Sequence, residues 1–327
     1  MPMPLDRAAG AAAGDGSLAW KRGQLSAADW LVAVPGACAA EFDEIARAAR
    51  GYAGRLAELD PSRLELPACA EAAARMRAKL VHGPGFAVLD RVPVEPYRRE
   101  EAQAIGWVLA NLIGRIVAQK LDGTRLYNVR DTGQKPGHGV RRSITNLEQE
   151  FHTDGPWLPL TPSFVGLYCL QPAAEGGMSR CASLVSAHAA LQDRQDLLQR
   201  LRRPFWWDRQ AEHAPGDVAC SRGPIFWDGG GVFARYNDDY VRKGYALAGE
   251  PLDEAGAAAL GAMREAIEAE ESWIEFHLER GQLLYLNNRQ IAHSRTAFRD
   301  DEARRHLMRF WNRDEGTPDL EGVDSGR

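Results

Sequence analysis

A mainly β fold with flanking helices, closed or built of two sheets in the manner of a jelly roll, is what this sequence predicts. Three observations point to it. From Leu126 onward the apolar residues fall in many short runs punctuated by Gly, Pro and Asn. Too few helical stretches interrupt those runs for the strand–helix alternation of a parallel α/β sheet. The first third shows helical spacing with one strand-like run.

Taken in order, the stretch from Met1 to Gly16 is rich in Ala, Gly and Pro and lacks a continuous apolar segment. It reads as a disordered leader over residues 1–25, not as a signal peptide. Residues 26–320 then read as a single domain with a helical N-terminal part and helical insertions. Ser26 can cap a short helix over 27–32, and helices follow over 39–50 and 69–80, the last stopped by Gly83-Pro84-Gly85. Residues 86–89 form a strand. Ala102, Ile105, Val108, Leu109 and Leu112 recur at helical spacing and predict an amphipathic helix over 98–113. Strands are expected over 126–129, 150–154, 164–170 and 179–184, a helix over 187–201, and a strand over 205–209. A hairpin over 225–227 and 232–236 turns at Asp228-Gly229-Gly230-Gly231. A helix over 254–270 precedes four closing strands at 273–278, 282–286, 290–294 and 306–311. The polar, glycine-rich segment 131–142 suits either a mobile active-site lid or an ordinary surface loop.

Composition excludes several classes of function. The 327 residues carry 40 Lys and Arg against 45 Asp and Glu, a net charge of −5, with basic residues interleaved among acids. Nucleic-acid binding needs clustered basic excess, so none is expected. No apolar run approaches the ~20 residues of a membrane span. The five cysteines, Cys38, Cys69, Cys169, Cys181 and Cys220, contain no CxxC pair and read as buried free thiols in a reducing compartment. A soluble cytoplasmic protein follows; a homo-oligomer is allowed by these numbers but not indicated by them.

Two distant stretches carry chemistry. In Phe151-His152-Thr153-Asp154-Gly155, His152 and Asp154 project to one face of an extended strand. Gly155-Pro156 ends that strand, so the pair sits at a strand mouth. His293, far along the chain, would complete two histidines and one carboxylate on one face of a metal, the arrangement that leaves open positions on ferrous iron. A surface His, a turn Asp and a buried structural His are the alternatives that these residues alone leave open. Arg305, Leu307, Arg309 and Trp311 alternate onto one face if extended. Two inward arginines need an anion, either a ligand carboxylate held bidentately or Asp300, Asp301 or Glu302. Trp157, Trp206, Trp207, Trp227 and Tyr236 could line a substrate pocket or fill the core.

Four motifs stand in order: His152-x-Asp154; Gly176-Gly177-Met178-Ser179; Asn288 through His293-Ser294-Arg295-Thr296-Ala297-Phe298; and Arg305-His306-Leu307-Met308-Arg309-Phe310-Trp311. Together they resemble the taurine dioxygenase-like (TauD/TfdA) family of Fe(II)/2-oxoglutarate-dependent oxygenases, within the clavaminate synthase-like superfamily. The resemblance runs from about Phe86 to Trp311 and leaves the first eighty residues uncovered. It implies a double-stranded β-helix. It implies that His152, Asp154 and His293 bind Fe(II) and act in catalysis, and that Arg305 pairs with the distal carboxylate of 2-oxoglutarate. Ser179 stands where relatives usually have a Thr whose hydroxyl touches the cosubstrate. Arg309 matches a second arginine near the cosubstrate or an acidic group of a small-molecule substrate. With O2, the implied reaction oxidises an unactivated C–H bond and releases succinate and CO2. Asp154 favours hydroxylation, desaturation or a related oxidation over halogenation. A cupin-like metal hydrolase or isomerase, and a non-catalytic β-barrel binding protein, are the two other classes compatible with these residues.

Overall fold

The computed structural model describes residues 18–135, 141–228 and 231–314. Two β-sheets dominate these residues. The major sheet runs in the order Leu31–Ala33, Phe86–Asp90, Leu283–Asn287, Phe164–Gln171, His306–Arg313 and Arg115–Ile116, with Tyr127–Val129 also paired to His306–Arg313. The minor sheet runs Trp273–Phe276, Ser179–Ser183, Ile291–Arg295, Gln149–His152. All pairings within them are antiparallel except the edge pair of Leu31–Ala33 with Phe86–Asp90.

The apolar pattern explains the layering. Phe86, Val88, Leu284 and Leu286 join one core with Cys169, Cys181, Ile291 and Leu307, between the sheets. Ala87, Leu89, Leu283 and Tyr285 join another core with the N-terminal helices. Successive strand residues thus alternate between two buried faces, which is why these strands read as continuous apolar runs. Helices Cys38–Ala49, Pro67–His82 and Arg99–Ile113 cover the outer face. Gly106 permits the closest approach there, since a Cβ on it would lie 2.4 Å from the Tyr168 ring. A third core gathers the helical insertions around Leu184, Leu198, Leu260 and Trp207.

Most predicted elements are present with ends shifted by one or two residues. Two expectations need correction, and one helix was not anticipated. Residues 18–25 are not a disordered leader: Leu18 and Trp20 are buried, and the Trp20 indole donates to Pro84 O at 2.9 Å. Residues 1–17 lie outside the described residues. The helix expected over 187–201 is two, Leu184–Ala190 and Gln195–Leu201. Helix Asp238–Ala248 was not anticipated, although Asn237 caps it through Tyr240 N and Gly249 closes it at φ 70°. The segment 131–142 is described only at its ends, with 136–140 outside the described residues.

His306, at the head of its strand, fixes a pH dependence of stability. Arg99 Nη2 donates to its Nδ1 at 3.0 Å and its Nε2 donates to Asn128 Oδ1 at 2.6 Å. Burial, with Arg99 and Arg130 nearby, holds the imidazole down at about 4, against 6.5 for an ordinary histidine. The unfolded chain therefore takes up a proton that the folded chain refuses between those values. The stability present above pH 6.5 is lost as pH falls towards 4, by up to about 1.4 kcal/mol per unit. Urea midpoints at pH 7 and pH 5 should separate by less in His306→Gln than in the wild type.

Candidate active site

The minor sheet and the loop leaving it bring the triad together. His152 ends its strand and lies directly across from His293, with ring centroids 4.2 Å apart. Asp154 lies two residues past the strand end, not within it as expected. A tight turn nevertheless returns it, placing Oδ1 3.5 Å from His152 Nε2. Thr153 faces away, exchanging hydrogen bonds with the Tyr236 backbone. Gly155 makes that turn at φ 60°, where a Cβ would sit 2.9 Å from Leu158 and 3.2 Å from the Trp311 ring. Asn288, fully buried, holds Asp154 from both sides of its backbone: Oδ1 accepts from Asp154 N at 2.8 Å and Nδ2 donates to Asp154 O at 2.9 Å.

Each triad residue offers one ligand atom, and these atoms lie within 4.8 Å of one another. Their protonation suits a cation. His152 Nδ1 donates to Glu150 O at 2.8 Å, which leaves Nε2 an acceptor, met by Gln149 Nε2 at 2.8 Å. Burial holds the His293 imidazole down at about 3, so it is neutral. Burial alone would raise the Asp154 carboxyl, but the Arg309 guanidinium beside it holds it well below the usual carboxylate range. Its Oδ2 is taken up by the Trp311 indole at 2.7 Å and Arg309 Nη1 at 3.3 Å, leaving Oδ1 for the shared space. The His293 side chain makes no hydrogen bond to any described residue, and its Nδ1 is buried without a partner. An imidazole left this way in the interior fits a metal ligand.

A second cluster, Cys38, Glu41 and Cys69, is as compact but differs chemically. Both Glu41 oxygens already accept backbone N–H groups, from Ala68 and Cys69 at 2.8 Å each. Burial pushes both thiols up, so they stay protonated. That carboxylate caps helix Pro67–His82 and has no oxygen to spare.

Two chambers meet at the triad. The first, about 40 Å³, reaches from His152 and His293 to Ser179, Arg295 and Arg305. The second, about 20 Å³, lies on the other side of His152 and Asp154, against Arg141, Arg142, Trp157 and Tyr240. Strand His306–Arg313 continues the alternation begun at Arg305: Arg305 and Leu307 line the first chamber, Arg309 both, and Trp311 the second. Arg305 is buried, stacked 5.1 Å over Phe298, with Nη1 lacking any partner. The salt bridges considered for it are absent among the described residues; Asp300 accepts only its backbone N–H. Burial draws the guanidinium down to about 10, still charged at neutral pH. Arg309 is committed differently, its Nε donating to Gln119 Oε1 at 2.8 Å.

A model of the taurine catabolism dioxygenase TauD, TfdA family matches residues 54–311. The chain belongs to this family. It is therefore a jelly-roll Fe(II)/2-oxoglutarate-dependent oxygenase, as the four motifs suggested, and the match begins about thirty residues before Phe86, where the resemblance was expected to start. The FR-33289 synthase of Streptomyces rubellomurinus is 28% identical over 305 residues, 90% of this chain and 89% of that protein. The taurine hydroxylase-like protein SAT17 of Stachybotrys chartarum is 26% identical over 311 residues, 88% and 76% of the two chains. Among solved structures, an asparagine oxygenase in complex with Fe(II), 2S,3S-3-hydroxyasparagine and succinate superposes with TM-score 0.63 at 20% identity, covering 86% of this chain and 93% of its own. The non-haem iron oxygenase OrfP in complex with Fe and α-ketoglutaric acid gives TM-score 0.61 at 17% identity, covering 86% and 94%.

Within this TauD/TfdA chain the structure gives roles to Gln149, which no local pattern flagged, and to Arg295, which the third motif contained without a role. Gln149 lies at the junction of the chambers, its Nε2 2.8 Å from His152 Nε2. Arg295 donates to Thr145 O at 3.1 Å and to Leu147 O, fastening the loop before the His152 strand. Of the five aromatics considered for a pocket, Trp157 faces the second chamber, whereas Trp207 and Tyr236 are core. No helix among the described residues is long and apolar enough to cross a membrane.

Proposed function

We propose that His152, Asp154 and His293 hold the iron, that Arg305 and Ser179 hold 2-oxoglutarate in the first chamber, and that a small-molecule substrate occupies the second. The observation that carries this reading is the buried His293 without a hydrogen bond, 4.2 Å from the His152 ring. The chemistry that iron, 2-oxoglutarate and O2 supply when bound is oxidative decarboxylation to succinate and CO2, coupled to oxidation of an unactivated C–H bond.

The chain's own residues prepare the ground for it. The Glu150 carbonyl sets the His152 tautomer, and Trp311 with Arg309 occupies one Asp154 oxygen, so the carboxylate offers the other. The unpaired Arg305 presents a planar fork to a carboxylate. Ser179, buried on the neighbouring strand, adds a hydroxyl to that chamber. Arg309 serves first to hold Asp154. A buried, unpaired Arg305 also argues against the cupin-like hydrolase or isomerase reading, which has no use for a dicarboxylate anchor. Residues 26–320 act as one domain in this reading. A cytoplasmic setting is part of the proposal, supported by five free, buried cysteines.

Two measurements test it. Anaerobic addition of Fe(II) and 2-oxoglutarate should produce the weak visible absorption of the iron chelate, and oxygen should then yield succinate. A protein that binds iron but gives neither contradicts the assignment. Trp311→Phe, which keeps the aromatic wall and removes the donor to Asp154, should weaken Mn(II) binding about 10-fold or more. An unchanged Mn(II) titration would remove Trp311 from the site's support.

A further inference from the structure

The His152 strand carries into the cavity a residue that a regular strand would turn away from it. Side chains three apart on a regular strand point to opposite faces. Gln149 and His152 are three apart, yet each lines both chambers. The strand pairing accounts for this. His152 lies across from His293 and Gln149 across from Arg295, so residues 149–152 oppose residues 293–295. The register slips by one residue between the two pairs, as at a β-bulge, and a bulge re-aims a side chain. Both nitrogens of the His152 ring are met from this stretch. The Glu150 carbonyl accepts from Nδ1 at 2.8 Å, and Gln149 Nε2 donates to the ring Nε2 at 2.8 Å. That is the one hydrogen bond of the half-buried Gln149 side chain among the described residues.

We infer that Gln149 is a displaceable cap on the metal site: its amide and the metal compete for one lone pair of His152, so this residue sets the metal affinity without being a ligand. The inference rests on His152, Asp154 and His293 holding the metal, as proposed above. A neutral imidazole protonated at Nδ1 has a single acceptor lone pair, on Nε2. A hydrogen bond from Gln149 and a bond to a metal cannot share it. The His293 side chain bears no such cap among the described residues. Of the two imidazoles, His152 is therefore the one at which metal entry breaks a hydrogen bond. Breaking it forfeits the net worth of a typical hydrogen bond, about 3- to 10-fold in affinity. The same bond satisfies a buried acceptor and favours the tautomer with an unprotonated Nε2, so the cap prepares the ligand that it blocks.

The test is a Mn(II) titration of the full-length protein, without cosubstrate, in the wild type, Gln149→Met, Gln149→Leu and His293→Ala. Neither replacement of Gln149 can donate to the ring, and a thioether is a poor ligand for Mn(II). Both should bind Mn(II) about 3- to 10-fold more tightly than the wild type. Loss of a merely structural residue would produce no such gain. In the wild type, the side-chain amide resonance of Gln149 should shift when Zn(II), a diamagnetic probe, fills the site. Unchanged or weaker Mn(II) binding in both Gln149 variants overturns the inference, as does an amide resonance indifferent to Zn(II). Either result leaves the metal assignment standing when His293→Ala still loses Mn(II). If His293→Ala binds Mn(II) as the wild type does, the metal assignment itself has failed and the cap falls with it.

Discussion

His293→Ala should fold normally, lose tight Fe(II) binding, and form succinate about 1,000-fold more slowly or worse, because the oxidation belongs to the metal and not to the side chains. The structural basis is unusual for a buried polar residue. Removing a buried imidazole normally strands its hydrogen-bond partner, at about 1–3 kcal/mol. His293 has no such partner among the described residues, so nothing is stranded. Its replacement leaves a small space beside the His152 ring, and relieves a group whose burial disfavours protonation. Asp154→Ala would be a poorer test, because it would also strand the Trp311 indole and Arg309. A circular dichroism spectrum and melting curve like the wild type, with loss of iron in a metal titration, is the expected pair of results. If iron binding persists in His293→Ala, that imidazole is structural.

Arg305→Met should produce two effects of opposite sign. Without cosubstrate the variant should be more stable than the wild type, by about 1–3 kcal/mol, since it replaces a buried, unpaired cation with an apolar chain of similar length. Its affinity for 2-oxoglutarate should fall about 100-fold, which corresponds to losing about 3 kcal/mol of charge-assisted hydrogen bonding. Stability lost where affinity is gained is what a binding site retains against its own folding. Urea unfolding of the metal-free protein and a 2-oxoglutarate titration of the Mn(II) protein measure the two sides. A destabilised variant with unchanged affinity would make Arg305 a packing residue over Phe298.

The contrast between what could and could not be read from the sequence has a physical source. The strands at 164–170 and 282–286 were legible because burial on both faces leaves an uninterrupted apolar run. His152 and Asp154 were legible as a pair through two-residue spacing, although the strand stops at His152 and the geometry depends on the Gly155 turn and the distant Asn288. The alternation of Arg305, Leu307, Arg309 and Trp311 placed all four on the cavity side. Helix Asp238–Ala248 was missed because its buried face is thin, Val241, Gly244 and Tyr245, even though Asn237 and Gly249 mark its ends. The break at 191–194 contains neither Gly nor Pro, so no local signal announces it. Arg141, Gln119 and the Trp311 contact to Asp154 were out of reach for another reason: each acts across a long chain separation, which periodicity does not record.

Crystals grown anaerobically with Fe(II) and measured at the iron absorption edge test the central assignment most directly. A single anomalous peak within bonding distance of His152, Asp154 and His293 is the predicted result. An iron peak elsewhere in the molecule, or one touching the first two residues but remote from His293, would contradict it.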